Sequence, residues 1–490
     1  MSLRRTVMRM RTKGIGGLLG GALALLLLAA PTSAAPQPGA LDASFGKGGR
    51  ELVPIPLRNK AVGYLTEHRL SNIVVAGASM AGGRFAVAGE RTVVALQSDG
   101  RIDRRFGRNG RVNLPVVSEG QTIIKDVAVD SEGRILVLAA ARFANGGGLA
   151  MIARLSSRGR YDTSFANNGI LVSDFGLPAP RPMGPSALPS PTPDVFPVGL
   201  AVDSSGRPVI AGSMVAAIAP CRDSGEQPHH AAYLARLLPD GSLDASFGEG
   251  GVVLDGPNLG FHEQHPFMGG VAVHNDAIFY ATDQDEAANC EGFGGGLLVR
   301  LNAAGGRDPS FGSAGILSIT PEGTRPRKIA VDRWGRILVM RDTTSEGAGR
   351  RLVVVNRWNA NGTLDAGFGH GGEVAVELPG EESEFDAFSV DTRGGSLLAG
   401  RIAPPRSHSE EKRSISAAPK FLLVRLTASG RPDHSFGKRG RIITGFGPGT
   451  RVGATDIAVS DKRAIVAGPA VSGHLDPPSG FALARYWLGR

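Results

Sequence analysis

An all-β fold, a seven-bladed β-propeller, is predicted by three observations. A segment of about fifteen residues recurs seven times, the apolar runs between its copies have strand length, and no run after the leader keeps a helical period. The copies are GALDASFGKGGRELV (39–53), GRIDRRFGRNGRVNL (100–114), GRYDTSFANNGILVS (159–173), GSLDASFGEGGVVLD (241–255), GGRDPSFGSAGILSI (305–319), GTLDAGFGHGGEVAV (362–376) and GRPDHSFGKRGRIIT (430–444). Their phenylalanines, Phe45, Phe106, Phe165, Phe247, Phe311, Phe368 and Phe436, are spaced by 57 to 82 residues. A unit of this length holds four strands of about 5–6 residues with their turns. A loop rich in glycine and acid invites a catalytic reading, but a catalytic loop normally occurs once, whereas a joint recurs in every unit.

The elements follow in chain order. Residues 1–34 read as a secretory leader: Arg4, Arg5, Arg9, Arg11 and Lys13, then an apolar run from Ile15 to Ala30, then small residues before a cut after Ala34. That run is short and diluted by glycine for a membrane span, and no later stretch approaches the required length of about 20 residues. The Arg4-Arg5 pair fits a twin-arginine export signal only loosely. Residues 35–490 form the expected single propeller. A complete unit shows a first strand in Ile123–Asp130, a second in Arg134–Ala139, a third in Leu149–Leu155, the turn with Asp162 and Phe165, and a fourth in Gly169–Ser173. The chain past the leader opens with a turn and a fourth strand and ends with FALARYW (481–487), a third strand. Joined, these complete a seventh blade and close the ring, so that no blade face is left bare.

The repeat resembles that of bacterial proteins with delta-60 repeats, marked by G-x-L-D-x-S-F-G-x-x-G after a strand ending in A/V-R-L. The likeness covers the chain past the leader, with departures at Ala166, Gly367 and Pro309. It implies an exported, propeller-like module and supplies no activity.

Fixed offsets assign roles within the repeat. Asp42, Asp103, Asp162, Asp244, Asp308, Asp365 and Asp433 each precede the repeat phenylalanine by three residues. Arg154, Arg236, Arg300, Arg357 and Arg425 precede it by eleven, and Arg485 does so across the closure. The expectation is an Arg–Asp pair in each blade with Phe filling the space between blades; Ala95 stands where the arginine of the second copy belongs, which predicts a differently satisfied turn at Asp103. Calcium is a poor fit, because each turn brings one carboxylate and the ion takes about 6–8 oxygens. Gly367, Gly369 and Gly372 match G-x-G-x-x-G but precede a strand, so the helix N-terminus that binds phosphate is missing.

Bulk charge excludes an obvious nucleic-acid protein: the leader carries five basic residues and no acids, which reduces the formal +9 to +4 past the leader, with no basic run. The connections on one face of the disc are short and repetitive. Those on the other are long and individual: 176–194 with seven prolines, 213–230, 256–268, 283–296 and 403–416. Insertions gathered on one face mark a binding face. Cys221 and Cys290 stand in equivalent loops of adjacent blades, and a disulfide is the leading reading for an exported chain. The alternative is a metal site from His229, His230, His262 or His265 with Asp283, Asp285 or Glu286, although the spacing matches no known signature. Solvated polar loop tips are the simplest reading of these side chains. No serine elbow is present, three tryptophans make no aromatic platform for sugars, and no specific cofactor is implied.

The sequence therefore leads us to expect an exported, monomeric binding or scaffold protein of the cell envelope or extracellular space, with a protein or glycan ligand on the variable-loop face. The alternative is a metal-assisted hydrolase or lyase on the same scaffold.

Overall fold

The computed structural model describes residues 35–55, 75–117, 120–143, 147–182, 193–221, 225–255, 268–285, 293–319, 324–344, 351–377, 383–403, 418–460, 462–472 and 479–489. Within the unit Gln37–Arg490 these form seven sheets of four antiparallel strands. Blade 1 holds Val75–Ser79, Phe85–Gly89, Thr92–Leu96 and Arg111–Asn113. Blade 2 holds Gln121–Val129, Ile135–Arg142, Gly148–Leu155 and Ile170–Ser173. Blade 3 holds Val195–Val202, Pro208–Cys221, Gly225–Arg236 and Val252–Asp255. Blade 4 holds Met268–His274, Ala277–Asp285, Phe293–Leu301 and Ile316–Ser318; blade 5 holds Arg325–Val331, Ile337–Thr344, Arg351–Trp358 and Glu373–Glu377. Blade 6 holds Glu384–Val390, Ser396–Ile402, Lys420–Leu426 and Arg441–Thr444.

Blade 7 takes Asp456–Ser460, Arg463–Val471 and Ser479–Trp487 from the C-terminal end and Arg50–Pro54 from the N-terminal end. Arg50 pairs with Ala484 and Pro54 with Gly480, so the closure runs through a full antiparallel ladder. The first strands pack on those of both neighbours, blade 7 on blade 1 included, and so line a closed central channel. Blades 3 and 7 each carry an added two-residue strand, Arg181–Pro182 and Arg451–Val452. The only helical turn among the described residues is Ala81–Gly83.

Burial explains the strand sequences. Second and third strands are pressed between blades on both faces, so Ile135–Arg142 (ILVLAAAR) and Lys420–Leu426 (KFLLVRL) are buried almost throughout and do not alternate. Fourth strands form the rim. They are short and carry charge at their edges, as in Arg50, Glu51, Arg111, Glu373 and Arg441, which discourages edge pairing with another chain.

Seven apolar clusters lie between adjacent blades, and each contains one repeat phenylalanine. Phe106, for instance, packs with Ala86 and Val93 of blade 1 and with Val137 and Met151 of blade 2. All seven repeat phenylalanines are at most 1% exposed.

One sequence expectation is corrected. Residues 213–230 are largely ladder and not loop: Pro208–Cys221 and Gly225–Arg236 stay paired from Val209↔Arg236 to Cys221↔Gly225, with a bulge between Val215 and Ala217. Residues 283–296 likewise begin and end inside strands that pair to Asp285↔Phe293. In both cases each strand supplies the other's backbone partners, which outweighs the turn-forming residues in the sequence.

Replacing Phe247 with alanine removes an aromatic ring from the cluster between blades 3 and 4. The variant is expected to lose about 3–5 kcal/mol in urea unfolding. A loss below about 1 kcal/mol would show that the ring does not hold the blades together.

Candidate functional site

The repeat segment is a joint between blades. Nε of Arg154 lies 2.8 Å from Oδ2 of Asp162, and the equivalent ion pairs are Arg236–Asp244 at 2.8 Å, Arg300–Asp308 at 3.1 Å and Arg485–Asp42 at 2.9 Å. Arg357 reaches Asp365 through both Nε and a terminal nitrogen at 2.9 Å, and Arg425 reaches Asp433 through a terminal nitrogen at 3.2 Å. Each guanidinium also donates to a backbone carbonyl of the next blade: Arg154 to Pro239, Arg236 to Ala303, Arg300 to Ala360, Arg357 to Ala428, Arg425 to Leu488 and Arg485 to Ser98. In five of these blades it lies over the repeat phenylalanine at 4.4–5.7 Å.

The aspartate is held by the serine two residues on. Oγ of Ser44 donates to Asp42 at 2.6 Å, and Ser164, Ser246, Ser310 and Ser435 repeat the contact. Burial works against the Asp42, Asp162 and Asp244 carboxylates, yet these hydrogen bonds and the arginines bring them below the usual range. Glycine is required where blades touch. Gly100 has φ +85°, and a Cβ there would meet the Gly46 nitrogen at 2.8 Å and the Phe45 ring at 3.0 Å.

Blade 1 solves the missing arginine differently. Asp103 pairs with Arg84 at 2.7 Å, and Arg84 also donates to the Ser157 carbonyl of blade 2 at 3.0 Å. Arg84 stands at the start of a second strand, where Arg207 and Arg463 of blades 3 and 7 already supplement the main pair at 3.0 Å to Asp244 and 2.8 Å to Asp42.

Chemistry that the repeat does not use converges in the channel. In blades 2 to 6 the first strand carries a bulge at one equivalent place: Ile124/Asp126, Pro197/Gly199, Met268/Gly270, Pro326/Lys328 and Phe385/Ala387. A bulge breaks the alternation and re-aims neighbouring side chains. The charged residues there are Lys125, Asp126, Arg327, Lys328 and Asp386, joined by Asp456 of blade 7. Asp126 accepts from the N–H of Val127 and of Leu200 in blade 3, both at 2.8 Å. Asp456 accepts from Ile457 at 2.8 Å and from Gly77 in blade 1 at 2.6 Å. Burial pushes the Asp126 carboxyl up to about 7, reinforced by the charge of Asp456 and opposed by those N–H groups and by Lys328. Burial also raises Asp456 and lowers the Lys125 ammonium.

Towards the variable-loop face the channel mouth is zwitterionic. Arg327 pairs with Asp386 at 2.7 Å and with Asp342 at 3.3 Å, and Arg401 with Glu384 at 3.1 Å. Burial pushes Asp386 up to about 6, with Glu384 adding to it and Arg327, Lys328 and Arg401 opposing. On the blade 2–3 side Arg142 pairs with Asp194 at 2.7 Å and stacks over Phe196 at 3.9 Å, and Phe196 in turn meets the His230 ring edge-on. These groups can hold a polar ligand by hydrogen bonds and opposed charges, and Asp126 can carry a proton near neutral pH.

Sequence reasoning missed these channel residues. Their signal was a charged pair, Lys125-Asp126 or Arg327-Lys328, next to an apolar run of the first strand. Of the other sequence candidates, His262, His265 and Cys290 lie outside the described residues, as do the side chains of Cys221, His229 and Asp283. Among the described residues no group of three or more His, Cys, Asp or Glu is arranged to hold a metal ion, and no helix is long and apolar enough to cross a membrane.

A family model described as "Domain of unknown function (DUF5122) beta-propeller" matches residues 231–247, the third-strand end and repeat turn of blade 3. No curated protein matches the chain. Among solved structures, a protein of unknown function from Dyadobacter fermentans is similar at TM-score 0.37 and 10% identity, covering 76% of this chain and 97% of that one. The Hadza microbial sialidase Hz136 is similar at TM-score 0.39 and 10% identity, with 83% and 73% covered. Drosophila Semaphorin 2a is similar at TM-score 0.39 and 9% identity, with 83% and 72% covered. Likenesses of this size carry no argument about function.

Two outcomes are expected here. Arg84→Ala should cost roughly 1–3 kcal/mol in urea unfolding by leaving Asp103 unpaired, and adding Ala95→Arg should recover part of it; no loss in the single variant refutes the substitution of one arginine for the other. The second concerns pH. Because the folded-state pKa of Asp126 is raised, the folded chain keeps a proton that the unfolded chain has released, so this group's stabilisation is present below about pH 4 and lost by about pH 7. Asp126→Asn abolishes that dependence, so the stability of the wild type relative to the variant should fall by roughly 1–3 kcal/mol from about pH 5 to about pH 8. An unchanged difference at the two pH values sinks the assignment.

Proposed function

We propose that the chain is an exported binding protein of the cell envelope or extracellular space, built of delta-60-type repeats, that holds a protein or glycan ligand over the channel mouth and the variable-loop face. The observation that carries this reading is the set of ion pairs at the loop-side ends of the strands, Arg327 with Asp342 and Asp386 and Arg401 with Glu384 in blades 5 and 6, and Arg142 with Asp194 between blades 2 and 3. Fixed polar groups around a concavity suit recognition. The leader-like residues 1–34 support export, and export supports the Cys221–Cys290 disulfide.

A second reading, a metal-assisted hydrolase or lyase on the same scaffold, draws support from Asp126, whose carboxyl near 7 suits proton transfer at neutral pH. Native and denaturing mass spectra of the protein from a periplasmic host test both. A retained glycan or peptide, lost at least tenfold in the Arg327→Ala, Asp386→Ala double variant, together with a two-hydrogen deficit, supports the stapled binding protein. A stoichiometric metal, removed by replacing His262 and His265, puts the enzyme ahead. A species retained equally by wild type and the double variant rules out the channel mouth as its site.

A further inference from the structure

Two clefts open on the rim of the disc, on either side of the fourth strand of blade 7. The larger, about 1010 Å³, lies between that strand and the repeat turn of blade 1 and is lined by Arg101, Arg104, Arg105, Arg108 and Arg111 with Glu51. The smaller, about 310 Å³, lies towards blade 6 and is lined by Lys47, Arg50 and Phe446 among others. Blade 6 continues the charge with Arg431, Lys438, Arg439 and Arg441 on its own repeat turn. Ring closure therefore places three basic turns side by side, although they come from both ends of the chain.

The scaffold does not call for this charge. The joint needs the aspartate, phenylalanine and glycines, and in five copies the serine two residues after the aspartate. In blade 1 Arg105 stands at that serine's position, where only its backbone N–H meets Asp103, and the other positions between them are free. In the third to sixth copies the positions equivalent to Arg104, Arg105, Arg108 and Arg111 contain no lysine or arginine. Arg50, Arg111 and Arg441 have a structural use, donating to the carbonyls of Gly445, Pro54 and Glu377 on the preceding blade. Arg104, Arg105 and Arg108 have none: they are exposed and meet no side-chain partner among the described residues. Of the nearby acids, Asp99 is 3.7 Å from Arg101 and Asp103 is paired with Arg84, which leaves Glu51 against five arginines, so the positive excess stands.

We propose that the rim of blades 7 and 1, extended by blade 6, binds an acidic polysaccharide, with the arginines of the blade 1 turn taking its repeating carboxylate or sulfate groups. Planar guanidinium forks match both anions. An open cleft continued by further charge on two neighbouring blades suits a polymer better than a single small anion. The larger cleft has no aromatic side chain on which nucleobases would stack. Nor does it have an exposed apolar side chain to enter a membrane. The site is on the repeat-turn side, away from the variable loops, and does not rest on the function proposed above.

Labelled heparin and polygalacturonate oligosaccharides are the probes, sulfated and carboxylated respectively, titrated into the full chain by fluorescence anisotropy at several salt concentrations. At least one should bind with affinity that falls as salt rises. The triple variant Arg104→Ala, Arg105→Ala, Arg108→Ala should bind at least about tenfold more weakly, with a salt slope reduced by roughly one for each arginine–anion pair removed. Arg333→Ala, which removes an exposed arginine from the strand 1–2 turn of blade 5, should change neither. If the triple variant does not fold, Arg108→Glu alone should show the same direction of loss. Binding unaffected by these variants, or no binding of either glycan, overturns the proposal. So does equal or tighter binding of duplex DNA or of anionic phosphatidylserine vesicles, which would make the rim a nucleic-acid or membrane surface.

Discussion

Six of the seven blades are tied to the next through a third-strand guanidinium that no single blade could satisfy, and blade 1 is tied through Arg84 of its second strand. The third-strand arginine takes its counter-charge from the aspartate of its own turn, its carbonyl acceptor from the following blade, and its packing surface from a phenylalanine that faces both. A charge this far from solvent is tolerable only when charge and hydrogen-bonding needs are met together. Blade and ring formation are therefore coupled, since a lone blade exposes its apolar faces and leaves the arginine without its carbonyl. Closure extends the same terms to both ends of the chain, with Arg485 from one end and Asp42 from the other forming one of the joints.

This joint also divides the molecule chemically. It occupies the repeat-turn face, where it prescribes aspartate, phenylalanine and glycine, uses a serine beside the phenylalanine in five copies, and leaves the other residues between them unconstrained. On the channel side a recurring bulge frees side chains from the ladder at one level of the ring, and that is where Lys125, Asp126, Arg327, Lys328 and Asp386 stand. The fold thus supplies two kinds of position at which side chains can change without weakening the blades, and both are occupied by charge.

What was legible in the sequence follows the same division. The blade count, the closure and the residues of the joint could be read because they recur at fixed offsets in register with one period. Arg84 could not be assigned to Asp103, because it lies on the second strand and reaches the turn only in the folded blade. The long hairpin of blade 3 is not legible in the sequence, because prolines and charges mask the pairing that extends to Cys221 and Gly225. The channel charges were hidden by treating first strands as regularly alternating, which their bulges contradict. The arginines of residues 101–111 stand close together in the sequence, but a linear scan cannot join them to residues 431–441 and 47–50, since the three are neighbours only in a closed ring.

Charge balance distinguishes the two regions further. At the bulge level the channel holds three cationic residues, Lys125, Arg327 and Lys328, and three acids, Asp126, Asp386 and Asp456. Opposed charges at short range cancel at a distance, so such a throat exerts little net pull on an approaching ion and selects by the local placement of donors and acceptors. The rim is the reverse case. Its exposed arginines are unbalanced and lie in high dielectric, where each attraction is weak and salt-sensitive but many of one sign add up along a polymer. A small net charge over the whole chain is thus compatible with strong local fields, because the ring gathers positive residues on one side and spreads the acids that offset them through the joints of every blade.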